Sequence, residues 1–282
     1  MNITGKTRLI CLIGDPVSSS VSPAMQNAAL TAMGLDYVYL SLRVASGDIS
    51  AAVNGLRALG VSGFNVTMPH KLAVIPLLDG LDKAAADIGA VNTVVNRNGE
   101  LKGYNTDGEG FLRSMREAGI EPERKKIIIL GAGGASRAIS YTLANNGASV
   151  TILNRDASRA ADMAETLSHT FGYAVQHGGL TSLEANLTRA DILINTTSVG
   201  MKPDTESSLV PPALLRPDLA VCDVLYCPGG TKLIRDARAA GAKTADGAGM
   251  VIWQGVLGFE LWTGTTPPVD VMRETVVREL GL

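Results

Sequence analysis

Short apolar runs alternate with longer amphipathic stretches along almost the whole chain. Arg8–Ile13, Tyr37–Val44 and Gly63–Thr67 read as strands. Pro23–Met33 and Ile49–Leu59 read as helices, the first with Ser22 as its N-cap and Gly34 as its stop. Val91–Asn96 and Leu101–Tyr104 flank Arg97-Asn98-Gly99-Glu100, whose Asn-Gly pair favours a hairpin turn. A helix over Asp107–Glu117 leads into Glu121–Lys126, a charged connector containing proline. Beyond it, strands at Ile127–Leu130, Ser149–Leu153, Ile192–Asn195 and Leu219–Val224 alternate with helices. These helices start near Ser136 and cover Ala157–Leu167 and Lys232–Ala240; Met250–Leu261 and Val269–Leu280 close the chain as two more. The alternation predicts an α/β fold with mainly parallel strands and one local antiparallel pair.

A chain of 282 residues exceeds the usual single-core size, so two domains are expected. The second series has the length of a nucleotide-binding α/β domain, residues 107–246. Residues 1–106 form the first, completed by 247–282. Net charge is −2 and no long block of Lys or Arg appears, which argues against a nucleic-acid partner. The three cysteines, Cys11, Cys222 and Cys227, are no disulfide framework. His70, His169 and His177 have no metal-ligand spacing with them, so no metal is expected. No signal segment opens the chain and no run reaches the ~20 apolar residues of a membrane span. A soluble, cytoplasmic protein without a membrane partner is the expectation.

Three places carry candidate chemistry. In Gly63-Phe64-Asn65-Val66-Thr67-Met68-Pro69-His70-Lys71 a strand ends in a hydroxyl, then a proline turn, then an amine. Proline keeps the residue before it extended and suits the start of a helix, so Lys71 is expected at an element junction. Alone, Lys71 reads equally as a solvated helix-start residue, and His70 as a surface or structural histidine. Asp107 is either a carboxylate of the site or an N-cap of the helix after it. Gly131, Ala132, Gly133, Gly134 and Ala135 follow a buried strand and open a helix, a cradle for a diphosphate. Ser136 stands where the third glycine of such loops is usual, and it is small enough for close packing.

The second strand of that series ends in Asn154-Arg155-Asp156-Ala157-Ser158-Arg159, beside the expected adenosine ribose. Arg155 and Arg159 suit the 2′-phosphate of NADP. Asp156 could hold ribose hydroxyls, repel a phosphate, pair with Arg159 or sit at a positive helix end. NADP is the leading cofactor, with NAD or dual use as the alternative.

These residues belong to a longer ordered set. Gly14-Asp15-Pro16-Val17, Ser20–Asn27, Asn65–Lys71, Gly89–Thr93, Gly103–Asp107, Gly131–Ala138, Asn154-Arg155, Asn195–Met201 and Asp246–Gly255 together resemble the shikimate dehydrogenase family, including its quinate/shikimate branch. The resemblance covers nearly the whole chain. It implies a substrate-binding domain plus a Rossmann-like domain, and reversible reduction of 3-dehydroshikimate to shikimate. By motif match Lys71 and Asp107 are the catalytic pair. Ser20 and Ser22 hold the substrate carboxylate, and Tyr39, Thr67, Asn92, Asp107, Tyr226 and Gln254 meet the rest of the substrate. Gly131–Ala135 hold the diphosphate, Asn154–Arg159 the ribose, and Thr196, Lys202, Val224, Tyr226, Gly247 and Met250 the remaining cofactor contacts.

The match also departs from the family in places. Val21 and Ser19 stand where lysine or leucine, and histidine, are common. The Trp253-Gln254 pair looks more like the quinate branch and Asn65-Val66-Thr67 more like the shikimate branch. The extra methyl of Thr67 is expected to crowd the additional hydroxyl of quinate. Quinate, aminoshikimate or another cyclitol remain alternative substrates, and a non-catalytic cofactor-binding module is the alternative of another class. A monomer or homodimer is expected.

Overall fold

In the computed structural model, which describes residues 3–282, the chain forms two compact units. One runs through Thr106 and resumes at Gln254–Gly281; the other is Asp107–Trp253.

The first unit opens with β1 (Arg8–Gly14), α1 (Ser22–Ala32), β2 (Tyr37–Arg43), α2 (Ile49–Ala58) and β3 (Gly63–Val66). β4 (Gly80–Leu81), α3 (Lys83–Ile88), β5 (Thr93–Arg97) and β6 (Glu100–Tyr104) follow. The sheet order is β2-β1-β3-β5-β6-β4. β2, β1 and β3 are parallel, while β3–β5 and β5–β6 are antiparallel. The hairpin falls at Asn98-Gly99, both with positive φ. One core lies against β1 and β3, with Cys11, Ile13, Val53, Phe64 and Val94 among its buried members. Branched and aromatic residues at these positions suit a pleated, enclosed surface.

Two local expectations change. Ser22 is the first helical residue of α1, not its cap; Val21 precedes the helix and gives no side-chain cap. Pro23, inside the first turn, replaces an N–H that the helix could not use. Pro69 does not start a helix either. His70 N–H returns to Thr67 O (2.9 Å) and Val74 N–H to His70 O (3.0 Å), so turns lead into one short 3₁₀ segment at Ile75–Leu77.

The second unit contains α4 (Asp107–Glu117), β7 (Lys126–Leu130), α5 (Gly134–Asn145), β8 (Ser149–Asn154), α6 (Ala157–Phe171) and β9 (Gln176–Gly179). It continues with α7 (Leu183–Leu187), β10 (Ile192–Asn195), β11 (Ala220–Asp223), α8 (Lys232–Ala239) and β12 (Thr244–Ala245). Its sheet is all parallel in the order β12-β11-β10-β7-β8-β9. Numbered from β7, that is the doubly wound order 3-2-1-4-5-6, with the direction of winding reversing between β7 and β10. Near-continuous aliphatic strands such as Lys126-Ile127-Ile128-Ile129-Leu130 suit a sheet covered on both faces.

The last two helices are α9 (Gly247–Thr263) and α10 (Val269–Leu280). The change from one unit to the other falls inside α9, between Trp253 and Gln254. In the first unit α10 packs along α1, and the Trp262 indole donates to Val94 O (3.0 Å).

Candidate active site

In the first unit, the carboxyl ends of β1 and β3 and the start of antiparallel β5 come to one edge of the sheet. The β3–β5 register places Asn65 opposite Thr93. The segment after β3 lies hard on Gly14. A Cβ there would be 2.3 Å from Thr67 Cγ2 and 2.9 Å from Met68 O. Thr67 N–H donates to Ile13 O and Asp15 N–H to Met68 O, both at 2.9 Å. The Thr67 methyl is therefore seated against Gly14.

Lys71, half-buried, is held through its backbone: its carbonyl accepts from Val91 N–H at 2.8 Å. His70 is buried, and its Nε2 lies 2.7 Å from Val44 O. A carbonyl only accepts, so Nε2 carries the hydrogen and pins this turn to the end of β2. Of the two roles expected for His70, the structural one is observed.

Behind the edge lies a closed set of side-chain bonds. The Tyr39 hydroxyl donates to Asn65 Oδ1 (2.7 Å). Asn65 Nδ2 donates to Asn92 O and Thr93 Oγ1, both at 3.0 Å. The Thr93 hydroxyl donates to Asn92 Oδ1 (3.0 Å), and Asn92 Nδ2 donates to Thr106 Oγ1 (2.9 Å). Thr106 N–H returns to Asn92 Oδ1 at 2.8 Å. Tyr39 is fully enclosed, so the structure places it behind the site surface rather than at it. Burial, with the neighbouring Cys11, pushes its phenol pKa well up and keeps it a neutral donor.

Ser20 and Ser22 sit at the start of α1, with Ser22 N–H donating to Ser20 Oγ (3.3 Å). Gln26, one turn further, is buried and donates to Gly255 O at 3.0 Å. That bond fixes the stretch of α9 that carries Gln254.

In the second unit Asp107 is the first residue of α4 and only 5% exposed. A carboxylate there lies at the positive helix end. The chain joins it directly to Thr106, which the Asn92 bonds hold.

The glycine loop follows β7 at the point where the winding reverses. Gly131 has φ +110°, and a Cβ on it would be 2.6 Å from Thr196 Oγ1. The Thr196 hydroxyl donates to Leu130 O (2.6 Å). Ser136 is fully buried and its hydroxyl donates to Gly131 O (2.7 Å), so it closes the loop as well as fitting it. The first rung of α5 is Arg137 N–H to Gly133 O (3.0 Å). The N–H groups of Gly134, Ala135 and Ser136 lie ahead of that ladder. A Cβ on Gly133 or Gly134 would meet nothing within 4 Å. Open space over first-turn N–H groups fits an anionic diphosphate.

At the end of β8, Asn154 Nδ2 donates to Asp156 O (2.9 Å). Asp156 caps α6, accepting from Ser158 N–H (3.1 Å) and the Ser158 hydroxyl (2.7 Å). Those bonds, led by the Ser158 hydroxyl, lower its pKa. Of the roles open to Asp156, capping is the one seen. Arg155 and Arg159 are exposed beside it.

At the ends of β10 and β11, Asp223 is fully buried and accepts from Asn195 Nδ2 (3.0 Å), Leu225 N–H (3.0 Å) and the Thr231 hydroxyl (2.7 Å). Val224 N–H donates to Asn195 O (3.0 Å). Gly247 N–H donates to Leu225 O (3.0 Å), and a Cβ on Gly247 would be 2.0 Å from Val224 O. Met250 lies in the first turns of α9. Tyr226 and Lys202 are exposed. Among the described residues no group of three His, Cys, Asp or Glu is placed to hold a metal, and no helix is long and apolar enough to cross a membrane. Cys11, Cys222 and Cys227 are free thiols.

Three family profiles match in register with these elements. They are the shikimate dehydrogenase substrate-binding domain at residues 12–94, shikimate/quinate 5-dehydrogenase at 115–209, and the shikimate 5-dehydrogenase C-terminal domain at 247–277. Shikimate dehydrogenase (NADP⁺) of Moorella thermoacetica is 46% identical over 282 residues, covering 99% of this chain and 95% of that protein. The chain belongs to the shikimate dehydrogenase family. A crystal structure of shikimate dehydrogenase with NADP⁺ superposes with a TM-score of 0.95 at 39% identity, covering 99% of this chain and 98% of that one. Shikimate 5-dehydrogenase of Listeria monocytogenes, in complex with shikimate and NAD, gives 0.93 at 40% identity, covering 97% and 98%.

Ser20, Ser22, Thr67, Lys71, Asn92 and Gln254 lie in the first unit, and Gly131–Ala135, Asn154–Arg159, Thr196, Val224, Gly247 and Met250 in the second. Reading residues one at a time passed over Asn65, Gln26 and above all Asp223. A polar residue ending an apolar strand, Ala220-Val221-Cys222-Asp223, was the available signal. Burial raises the Asp223 carboxyl to about 6, the Asp246 charge adds to this, and its three donors oppose it. A raised folded pKa means that the penalty for the charged form is complete above about pH 6 and relieved as pH falls toward the ordinary value, 3.8. Asp223→Asn keeps the acceptor for Asn195 and Leu225 but carries no charge. Its stability relative to wild type should therefore rise between pH 4 and pH 7, by on the order of 3 kcal/mol at most. Urea midpoints across that range measure it; a difference independent of pH would refute it.

Proposed function

We infer that the chain catalyses the shikimate dehydrogenase reaction. It reversibly reduces 3-dehydroshikimate to shikimate with a nicotinamide cofactor, NADP leading, in the chorismate pathway of the cytoplasm. The observation that carries this reading is the 46% identity to an NADP-dependent shikimate dehydrogenase over essentially the whole of both chains. The donor set of the glycine loop fits the diphosphate, and Arg155 and Arg159 supply cations for a 2′-phosphate.

The cofactor supplies or accepts the hydride when bound. The protein handles the proton and holds the ring. The Lys71 ammonium donates its proton to the carbonyl oxygen as that oxygen gains charge, and the amine takes it back in oxidation. Asp107 accepts from a ring hydroxyl. Ser20 and Ser22 hold the carboxylate at the start of α1. Thr67, Asn92 and Gln254 bind ring hydroxyls. Tyr39, Asn65, Thr93 and Thr106 keep Asn92 in place.

Initial rates with shikimate and quinate against NADP and NAD test the whole reading. Shikimate with NADP should give the highest kcat/KM. Turnover with neither acid would overturn it, and a higher value with quinate would move the chain to the quinate branch.

Arg159→Ala in the same assay should raise KM for NADP by ~10- to 100-fold, the loss of one charge-assisted phosphate contact of ~1.5–3 kcal/mol, with little change for NAD. Asp156→Ser keeps a capping side chain and removes a negative charge, so it should improve NADP relative to NAD. If neither KM moves in Arg159→Ala, the arginine is a surface charge only.

A further inference from the structure

A second concave site lies in the first unit, at the end of the sheet away from Gly14 and Thr67. It is a cleft of about 460 Å³ where β1 begins, where α2 turns into β3 and where the β5–β6 hairpin turns back. Arg8, Arg57 and Arg97 line it together with Ser62, Asn96 and Asn98, and none of its lining residues is a carboxylate.

Three guanidinium groups are gathered here and partly fixed in place. Arg57 Nη1 donates to Asp79 Oδ2 and Gly99 O, both at 2.6 Å, and its Nη2 to Leu77 O at 3.1 Å. Arg97 Nη2 donates to Leu261 O (3.1 Å). Arg8 lies over the Tyr37 ring and donates to its hydroxyl. A guanidinium has five N–H donors, so each keeps donors beyond these bonds.

Two further groups in the wall are nearly enclosed: Ser62 is 4% exposed and Asn96 7%. Asn96 Oδ1 accepts from Gly99 N–H (2.8 Å). Among the described residues, Asn96 Nδ2 and the Ser62 hydroxyl have no hydrogen-bond partner. Both polar atoms reach the cleft surface, where a ligand would meet them. Nothing in the substrate or cofactor chemistry uses them.

The volume is that of a small-molecule site. Its lining offers amide, hydroxyl and guanidinium donors, the complement of an oxygen-rich anion rather than of an apolar ligand. We propose that this cleft binds a small metabolite carrying phosphate or several carboxylates, at a place separate from the substrate and the cofactor. Along β1, Arg8 is about 20 Å from Gly14, at 3.3 Å per residue. β5 nevertheless links the two places directly, since Thr93 belongs to the Asn92 network and Asn96 to the cleft.

Calorimetric titration of the full-length protein with pyrophosphate and with citrate tests the proposal. Saturating NADP is present, so that the glycine loop is already taken. One saturable site is expected for at least one probe, with amide shifts centred on Ser62, Asn96 and Gly99. Pyrophosphate alone would identify a phosphate ligand; citrate alone, or both, would admit carboxylates. The double variant Arg8→Gln/Arg97→Gln leaves the Arg57 bonds intact and should weaken binding by about tenfold or more. Its kcat and KM for shikimate, without probe, should match wild type. No saturable binding of either probe, or wild-type affinity in the double variant, would overturn the proposal.

Discussion

Lys71→Ala should lower kcat by ~10²–10⁴-fold, the usual worth of a positioned proton donor, while the fold and the affinity for NADP stay near wild type. The reason the fold survives is local. The Lys71 carbonyl bonds Val91 N–H, and the His70 ring anchors the preceding residue to Val44. Neither bond involves the lysine amine. Steady-state rates, a thermal melt and a fluorescence titration with NADP separate these effects. A folded variant with wild-type kcat would remove Lys71 from the chemistry. Asp107→Asn is its companion: it should reduce kcat and weaken shikimate, because one change removes both a charge and an acceptor. Unchanged kinetics there would leave Asp107 with a purely helical role.

Gly247→Ala should damage both stability and cofactor use. The new Cβ would lie 2.0 Å from Val224 O and 2.5 Å from Val224 C. These are backbone atoms and cannot rotate aside, so the first turn of α9 must move from the end of β11. Overpacking of this kind costs ~1–3 kcal/mol. The displaced main chain carries Val224 and Leu225, so NADP binding and kcat should each fall by about tenfold or more. Gly133→Ala is the control for stability, because its Cβ enters open space. Equal melting temperatures for Gly247→Ala and wild type would show that α9 can shift without cost.

Much of the fold could be read from spacing alone. The aliphatic strand Ile127–Leu130 and the glycines after it predict both the parallel sheet and the loop. The Asn-Gly pair marks the hairpin where it is found. Other elements had no pattern to read. β9 is Gln176-His177-Gly178-Gly179, a polar edge strand defined by its pairing with β8. β4 and β12 are two residues each and exist only through their neighbours.

The site divides in the same way. Lys71, Asp107 and the glycines have side chains, or lack them, for reasons that a motif displays. Asp223 is different: its importance comes from Asn195, brought to it by parallel strand order, and from Thr231, the N-cap of the helix that follows. Tyr39 is expected to meet the substrate on the motif match alone, yet packing closes over it. The direction of the Thr67 methyl depends on how closely Gly14 approaches, which no local pattern reports.

The five residues Tyr39, Asn65, Asn92, Thr93 and Thr106 bear on how such a site can change over generations. Each supplies a donor or an acceptor to another member of the set. Losing any one strands a buried partner at a cost of ~1–3 kcal/mol, a large part of a typical margin of stability. Single steps that delete a donor or an acceptor from this layer are therefore costly. Drift toward a new ring substituent meets less resistance at Gln254, which is proposed to bind a ring hydroxyl and lies outside the set.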